Sequence, residues 1–508
     1  MQDRAPDSKV NRDEHQERAQ LGEESSHPPG EPVDQKIPEN SNGADTEIDV
    51  SVLEDDRIDL TGVDHSSFAR IAYEVEHQRL PTQIVSNIWG ALFRSYHSGL
   101  GNDIDSTTDF ARALEDASRV RGGTRLGDLM VLPDRATVYF FSDCEGAYHA
   151  LLDFIQENWI EVRLKHGEHA PPVHLVFNGD SIDRSRTSHL LLSLIIELDK
   201  RFPGHIHVSL GNHELDYTQQ QNSERGFFHE ILAIPLVVSE QEWTALLTTP
   251  EIGVVFREYI RGDDNPSWKI SANSREILYR EYKDARTERR REIHRSQKDE
   301  EDFDLDTAAS DASIIVRKAR EQFVRYFIWD LYQLWFSSLP TMVVSNQLFC
   351  AHGFCPISGP FDPESLQKKE RTPLELLQIL AQGGGDTEEI CWTDLDIEKT
   401  KKSGVEPASS DGDTVPELLL ISDKPERGKG LKQATEPVAH LFLRSIFRRD
   451  TPCKSIFIRG HQHLGSQGYH VEGCVHTIQS SPYGGSALKV ELSDPDSAPV
   501  VERLDFGG

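Results

Sequence analysis

No apolar run in this 508-residue sequence reaches the ~18 residues of a membrane span, and the first residues lack the apolar stretch of a secretory leader. The expectation is a soluble, cytoplasmic protein with no membrane partner. Cysteine is scarce: Cys144, Cys350, Cys355, Cys391, Cys453 and Cys474 form no CxxC pair and no dense framework. A small disulfide-stapled fold is excluded, and a reducing compartment fits better. Cys350 and Cys355 have C-x4-C spacing, but without a second pair they read as core thiols in preference to zinc ligands. Basic charge is also short, with 54 Lys and Arg against 85 Asp and Glu and a formal net charge of −31. Such acidity disfavours nucleic acid or an anionic membrane as the main partner. There is no internal repeat.

The apolar content, 37%, is enough for one large core or two ordinary ones. It is unevenly distributed. Residues 1–60 hold 17 acidic and 6 basic side chains and few aromatics, a composition that cannot offset chain entropy, so a disordered acidic tail is expected there. From Ser66 to about Leu132 the spacing in "FARIAYEVEHQRL" and "IVSNIWGALFRSYH" is helical, giving a helical lead-in. Short β-branched and aromatic runs then follow: "ATVYFFSD", "VHLVFNGD", "IHVSLGNHE", "NQLFCAHG", "KSIFIRGHQH" and "CVHTIQSS". Helical stretches such as "LLLSLIIELDKRF" separate the early ones. This alternation predicts an α/β fold with buried strands. Two segments interrupt it, at about 232–312 and 360–426. The first carries a mixed-charge block around 284–306, read as a solvated helical insertion that could also dock a partner; the second holds "AQGGGDTEE" and "KKSGVEPASSDGDTVPE", read as loops.

Each strand-like run ends in polar residues, which is where ligands gather in α/β sheets. In chain order these ends carry Asp143, the stretch "GDSIDR" from Gly179 to Arg184, "GNHE" from Gly211 to Glu214, "AHG" from Ala351 to Gly353, and "RGHQH" from Arg459 to His463. Any one of these is weak, since an Asp or Asn after a strand is commonly a cap or turn residue. Five in this order are not readily explained by turns alone.

At these residues the chain resembles the metallophosphoesterase superfamily and, within it, the phosphoprotein phosphatases of calcineurin-like fold. "GDSIDRSRTSHLLLSLIIELDKRFPGHIHVSLGNHE" is similar to that family's GDxVDRG segment, following helix and GNHE strand, and "LPTMVVSNQLFCAHGFCP" to its LP…FC.HGGLSP stretch. "CWTDLD" resembles WSDP, "ERGKG" the RG beyond it, and "FIRGHQHLGSQGYHVEGCVHTIQSSPYGG" the RAHQ…GY…T.FSAPNY end. The resemblance spans about residues 66–505 with the two insertions, and a catalytic domain over 66–508 is expected from it. It implies a β-sandwich flanked by helices with a helical insertion, and a site holding two metal ions, Mn, Fe or Zn, about 3.5 to 4 Å apart. The implied activity is hydrolysis of phosphomonoesters, on protein Ser/Thr or Tyr, by direct attack of a metal-bridging hydroxide. By the same resemblance Asp180 bridges the metals, Asp143 binds the first, and Asn212, His352 and His461 bind the second. His213 matches the general acid, Asp183 its orienting partner, and Arg184 and Arg427 the two guanidinium groups on the phosphoryl oxygens.

The sequence departs from the family at four places. The first motif, GDxHG, reads Ser142-Asp143-Cys144-Glu145-Gly146. Glu145 thus stands where a histidine ligand is expected, as a carboxylate substitute that adds negative charge, with Cys144 turned away from the metals. The final motif is Gly460-His461-Gln462-His463, so His463 is either a returned imidazole for the first metal or a surface histidine. Leu210 replaces the Arg of RGNHE, and Ser481-Pro482-Tyr483-Gly484 matches SAPNY only in part, which points to bacterial-like branches and leaves the substrate residue open. Two other readings stand beside a phosphoprotein phosphatase: a nucleotide or dinucleotide-polyphosphate hydrolase or phosphodiesterase, suggested by GHQH, and a catalytically weak metal-binding scaffold, suggested by Glu145 and the charged insertion.

Overall fold

A computed structural model describes residues 66–97, 106–166, 170–219, 226–248, 305–396, 421–423, 432–447, 455–462, 464, 468–493 and 497–507. All of them fall in the compact unit Asp55–Gly508. The acidic tail, Arg427, His463 and the mixed-charge block through residue 304 lie outside the described residues.

The strands, in chain order, are β1 Thr124–Leu126, β2 Leu129–Val131, β3 Ala136–Phe141, β4 Val173–Asn178, β5 Ile206–Ser209, β6 Met342–Val344, β7 Leu348–Ala351 and β8 Asp394–Leu395. They continue with β9 Ile421–Asp423, β10 Lys432–Ala434, β11 Ile456–Arg459, β12 Tyr469–Glu472, β13 Val475–Ile478, β14 Gly485–Leu492 and β15 Val500–Phe506. All six runs expected as strands are strands: β3, β4, β5, β7, β11 and β13. Two sheets hold them. One has the order β1-β2-β6-β7-β11-β13-β12 and the other β15-β14-β3-β4-β5, with a small third sheet β8-β10-β9. Within them β3–β4–β5 and β7–β11–β13 are parallel, so their polar carboxyl ends fall at one edge of each sheet.

Alternation along β3 shows how the layers form. Val138 and Phe140 pack with Val176, Leu488 and Val490 of their own sheet and with Val343, Cys350, Ile456 and Ile458 of the other, so this face lies between the two sheets. Tyr139 and Phe141 point the opposite way, onto Leu151, Phe154, Leu191 and Ile195 of helices Tyr148–Glu157 and Ser188–Arg201. The outer face of the larger sheet is covered in turn by helices Thr107–Arg119, Pro373–Ala381 and Glu436–Phe447. The result is a mixed α/β sandwich of helix, sheet, sheet and helix, as the strand pattern predicts. A further apolar cluster joins helices Pro81–His97, Phe227–Ala233 and Leu305–Ser337 beside it. No described helix is long and apolar enough to cross a membrane.

Three local readings change. The lead-in is helical over Ser66–Glu76, Pro81–His97 and Thr107–Arg119, but residues 124–131 form the β1–β2 hairpin, with Leu126 opposite Leu129. The two-residue Gly127-Asp128 connection, with Gly127 at φ 59°, closes it, because glycine tolerates the left-handed turn that such hairpins need. In "AQGGGDTEE" the glycines do form a turn, yet Asp386 accepts from the N–H groups of Glu388 and Glu389 and starts helix Thr387–Trp392. Helices Pro363–Lys368 and Pro373–Ala381 of the same segment are packed into the core under the larger sheet, so this part is not a loop. Cys350 and Cys355 are both buried but belong to separate apolar clusters, consistent with core thiols.

Phe140 is fully buried between the sheets. Phe140→Ala is expected to lower unfolding free energy by about 3–5 kcal/mol, through lost burial and the cavity left behind. Denaturant unfolding followed by circular dichroism measures it.

Candidate active site

The carboxyl ends of the strands are stitched into one surface. After β3 and β4 the chain runs in two loops side by side: the N–H of Asp143 donates to the Gly179 carbonyl at 3.2 Å, that of Glu145 to Asp180 at 2.9 Å, and that of Gly146 to Ser181 at 3.0 Å. Asn178 ties the sheets together. Its side-chain N–H donates to the Ala351 carbonyl on β7 at 3.1 Å, and its own carbonyl accepts from His352 Nδ1 at 2.8 Å. Approach this close demands glycine: a Cβ on Gly460 would lie 1.8 Å from Ser142 Oγ.

Backbone strain concentrates here. Eight non-glycine residues have positive φ among the described residues, and six of them are Asp143, Glu145, Asp180, Asp183, Arg184 and His461. Each such residue costs on the order of 1–3 kcal/mol, and such conformations persist where surrounding contacts enforce them, chiefly at functional sites. All six are among the residues singled out from the sequence.

Asp180, His352 and His461 present three buried ligand atoms within 4.8 Å of one another. His352 Nε2 lies 3.2 Å from Asp180 Oδ2 and 3.0 Å from Asn212 Oδ1, while His461 Nδ1 is 2.8 Å from the same Asn212 oxygen. With His352 Nδ1–H given to the Asn178 carbonyl, it is Nε2 that is turned toward the cluster, the ring orientation that a metal-binding histidine needs. Burial alone would lower the His352 pKa, but the Asp180 and Asp143 charges raise it to about 9. Asp180 moves the other way: burial is overcome by the His352 and His213 imidazoles, and its carboxyl is held well below the usual range. Two oxygen acceptors and two imidazole nitrogens facing a common point form a donor set that fits a divalent cation. Asp143 is 3% exposed and adjoins this set, its Oδ2 accepting from the His461 N–H at 2.9 Å. Burial raises its pKa and the His352 charge opposes this.

His213 stands at the open side, partly exposed. Its Nδ1 is 2.7 Å from Asp183 Oδ2, and its Nε2 is 3.8 Å from Asp180 Oδ2. Asp183 is itself anchored by the Phe227 N–H at 3.0 Å. Burial would depress the imidazole pKa, yet Asp180 and Asp183 together raise it to about 10, so the ring is cationic at neutral pH.

Glu145 is 2% exposed, and its Oε1 meets Arg184 Nη1 at 2.7 Å. The approach is a charge contact without aligned hydrogen-bond geometry. Burial raises the Glu145 pKa to about 7, with Arg184 opposing the rise and Asp143 and Asp180 adding to it. Cys144 is buried in the apolar cluster beneath the loop, turned away from the polar site as expected.

Four residues matter here that the motifs alone did not assign. Glu214 accepts from the backbone N–H groups of Asp180, Ser181 and Gly211 at 2.8, 2.7 and 3.1 Å, which sets the bend carrying Asp180. Asn178 joins the sheets. Asp394 Oδ1 lies 3.8 Å from His461 Nε2. Arg459, fully buried, donates to the Gly353 and Thr393 carbonyls and to Gln462, tying the three loops that bear His352, Asp394 and His461. The signals existed in "GNHE", "CWTDLD" and "RGHQH", but backbone partners are invisible without the fold.

Residues 136–298 match the calcineurin-like phosphoesterase family. The chain carries a calcineurin-like metallophosphoesterase domain, and its relatives include phosphoprotein phosphatases. A probable serine/threonine-protein phosphatase of Encephalitozoon cuniculi is 30% identical over 94 residues, covering 18% of each chain. The PP2A-like serine/threonine-protein phosphatase PPG1 of Saccharomyces cerevisiae is 30% identical over 102 residues, 20% of this chain and 24% of that one. The chain thus spans about a fifth of the length of the curated relatives it matches. Among solved structures, a Saccharomyces cerevisiae serine/threonine phosphatase with similarity to human PP5 aligns with a TM-score of 0.39 at 16% identity, over 78% of this chain and 90% of that one. A cold-active protein-tyrosine phosphatase of a Shewanella species aligns with 0.33 at 14%, over 75% and 83%.

Glu214→Ala strands three buried N–H groups. It is expected to cost about 1–3 kcal/mol of stability and to weaken metal binding, because the Asp180 bend loses its support. Denaturant unfolding and metal content of the purified variant check both effects.

Proposed function

We propose that this protein is a metal-dependent phosphoprotein phosphatase that hydrolyses phosphomonoesters on Ser/Thr or Tyr side chains. The observation that carries the reading is the joint geometry of Asp180, His352 and His461 beside the His213–Asp183 pair. Asp143, Asp180, Asn212, His352 and His461 would hold two metal ions of the Mn, Fe or Zn kind. Such ions supply an acidified water and screen the phosphoryl charge. The names of the curated relatives support protein phosphoesters as the substrate class, and the five buried free thiols among the described residues support a reducing, cytoplasmic location.

The chain's own groups account for the other half of the reaction. The phosphoryl oxygens meet the Arg184 guanidinium at the rim, with Arg427 as the proposed second clamp. Water attacks phosphorus opposite the ester oxygen, and the P–O bond to the leaving group breaks. His213, kept cationic by Asp183 and Asp180, gives its Nε2 proton to the departing alkoxide or phenoxide, leaving alcohol and inorganic phosphate. Asp183 fixes the ring so that Nε2 is the nitrogen turned inward.

Asp180→Asn is expected to reduce turnover of p-nitrophenyl phosphate at least ~100-fold and to lower metal content. A panel of phosphoserine, phosphothreonine and phosphotyrosine peptides, beside bis-nucleoside polyphosphates and bis-p-nitrophenyl phosphate, reads substrate class; preference for the diesters or polyphosphates would overturn the proposal. No turnover of any of them with Mn, Fe or Zn supplied would leave the scaffold reading.

The pH profile provides a separate check. Because the raised His213 pKa keeps the acid protonated, the alkaline limb of kcat should follow loss of the proton from this ring. Asp183→Asn removes a raising charge, so that limb should move to lower pH by about 1 unit or more, seen in kcat against pH.

A further inference from the structure

We propose that Glu145 serves Arg184 and not the metal: it is a positioning residue that holds the phosphate-facing guanidinium in place. This rests on the phosphatase reading above and deepens it, since it assigns the residue at which the first motif departs from its family.

The two loops that carry the pair are zipped together by backbone hydrogen bonds from Glu145 to Asp180 and from Gly146 to Ser181, at 2.9 and 3.0 Å. Both Glu145 and Arg184 sit at positive φ, 47° and 54°, so their side chains are directed by an enforced backbone, not by free choice of conformation. The carboxylate is 2% exposed, while the Arg184 side chain is 40% exposed. A buried carboxyl thus anchors a guanidinium that reaches the rim. The Arg184 carbonyl there accepts from the hydroxyl of Tyr483, an 80% exposed ring, at 3.5 Å.

Charge explains why this arrangement suits a phosphatase. A fourth buried carboxylate beside Asp143, Asp180 and Glu214 would repel an incoming phosphate dianion if it stood alone. Paired with Arg184 it is neutralised, and the guanidinium is already oriented when the phosphoryl group arrives, which lowers the entropy lost on binding. Among the described residues the converging set of ligand atoms is Asp180, His352 and His461; Asp143 and Glu145 both lie outside it, and what sets Glu145 apart is its 2.7 Å contact with Arg184. An arginine held in this way binds oxygen pairs in a fixed fork, so the effect should appear in phosphate affinity and not in metal loading.

The test uses the full chain loaded with Mn, comparing wild type, Glu145→Gln, Arg184→Ala and the double variant, with thermal melts to establish folding. Metal stoichiometry by elemental analysis and inorganic phosphate affinity by calorimetry are measured, so neither readout depends on turnover. The expected result for Glu145→Gln is unchanged metal content, with phosphate binding weakened about tenfold or more. The double variant should be no weaker than Arg184→Ala alone, since the two residues act as one unit. Loss of a metal equivalent in Glu145→Gln would overturn the proposal and make Glu145 a ligand. Unchanged phosphate affinity, or additive losses in the double variant, would overturn it as well. If wild type binds metal and phosphate but hydrolyses nothing, the phosphatase reading fails while the Glu145 assignment is still decided.

Discussion

Four carboxylates, those of Asp143, Glu145, Asp180 and Glu214, are each at most 3% exposed within one polar region, and the surrounding structure is organised around that buried negative charge. An isolated buried carboxylate is strongly disfavoured, so each must find hydrogen bonds or opposite charge. Glu214 takes three backbone N–H groups. Asp180 faces two imidazoles and accepts the His213 N–H at 3.0 Å. Asp143 accepts from the His461 N–H, and Glu145 meets Arg184. The strained loops follow from this. Backbone N–H groups reach inward toward carboxylates only if the chain turns sharply after each strand, and six site residues adopt positive φ where it does so.

The sandwich supplies rigidity for those turns. With Val138, Phe140, Val176, Ile458 and Leu488 packed between the sheets, the carboxyl ends of β3, β4, β7 and β11 are held at fixed separation. Asn178 then spans the gap between sheets, while Arg459 links the loops on the far side. The helices covering the outer faces bury Phe141, Phe154 and Phe349. Apolar layers resist movement, and the loop ends hold the electrostatics.

Much of this was legible in one dimension. Six strand runs, the helices of the lead-in and the order of the polar clusters could be read because period-2 and period-3.6 patterns are local. The β1–β2 hairpin was not legible: "TRLGDLMV" is short, mixed in pattern and follows three helices, so only the Gly127-Asp128 turn marked it. The helices of residues 363–392 were obscured by a neighbouring glycine-rich turn, although Asp362, Thr372 and Asp386 cap each of them. Within the site, Asp143, Asp180, Asp183, Asn212, His213, His352 and His461 do converge, whereas Glu214, Asn178 and Arg459 act mainly on backbone atoms, which no side-chain motif records.

What the amino-acid order determined by itself is the supply of chemistry: which carboxylates, imidazoles and guanidinium groups stand at strand ends, and in what sequence. Those features depend on residue type and local spacing. Tertiary structure alone decided their partnerships. Asn212 shares one oxygen between imidazoles 140 and 249 residues away, and Glu145 faces Arg184 because two loops run side by side after parallel strands. Such contacts are set by sheet packing and by glycines that let backbones touch, and charge then selects the pairing among the groups brought within reach.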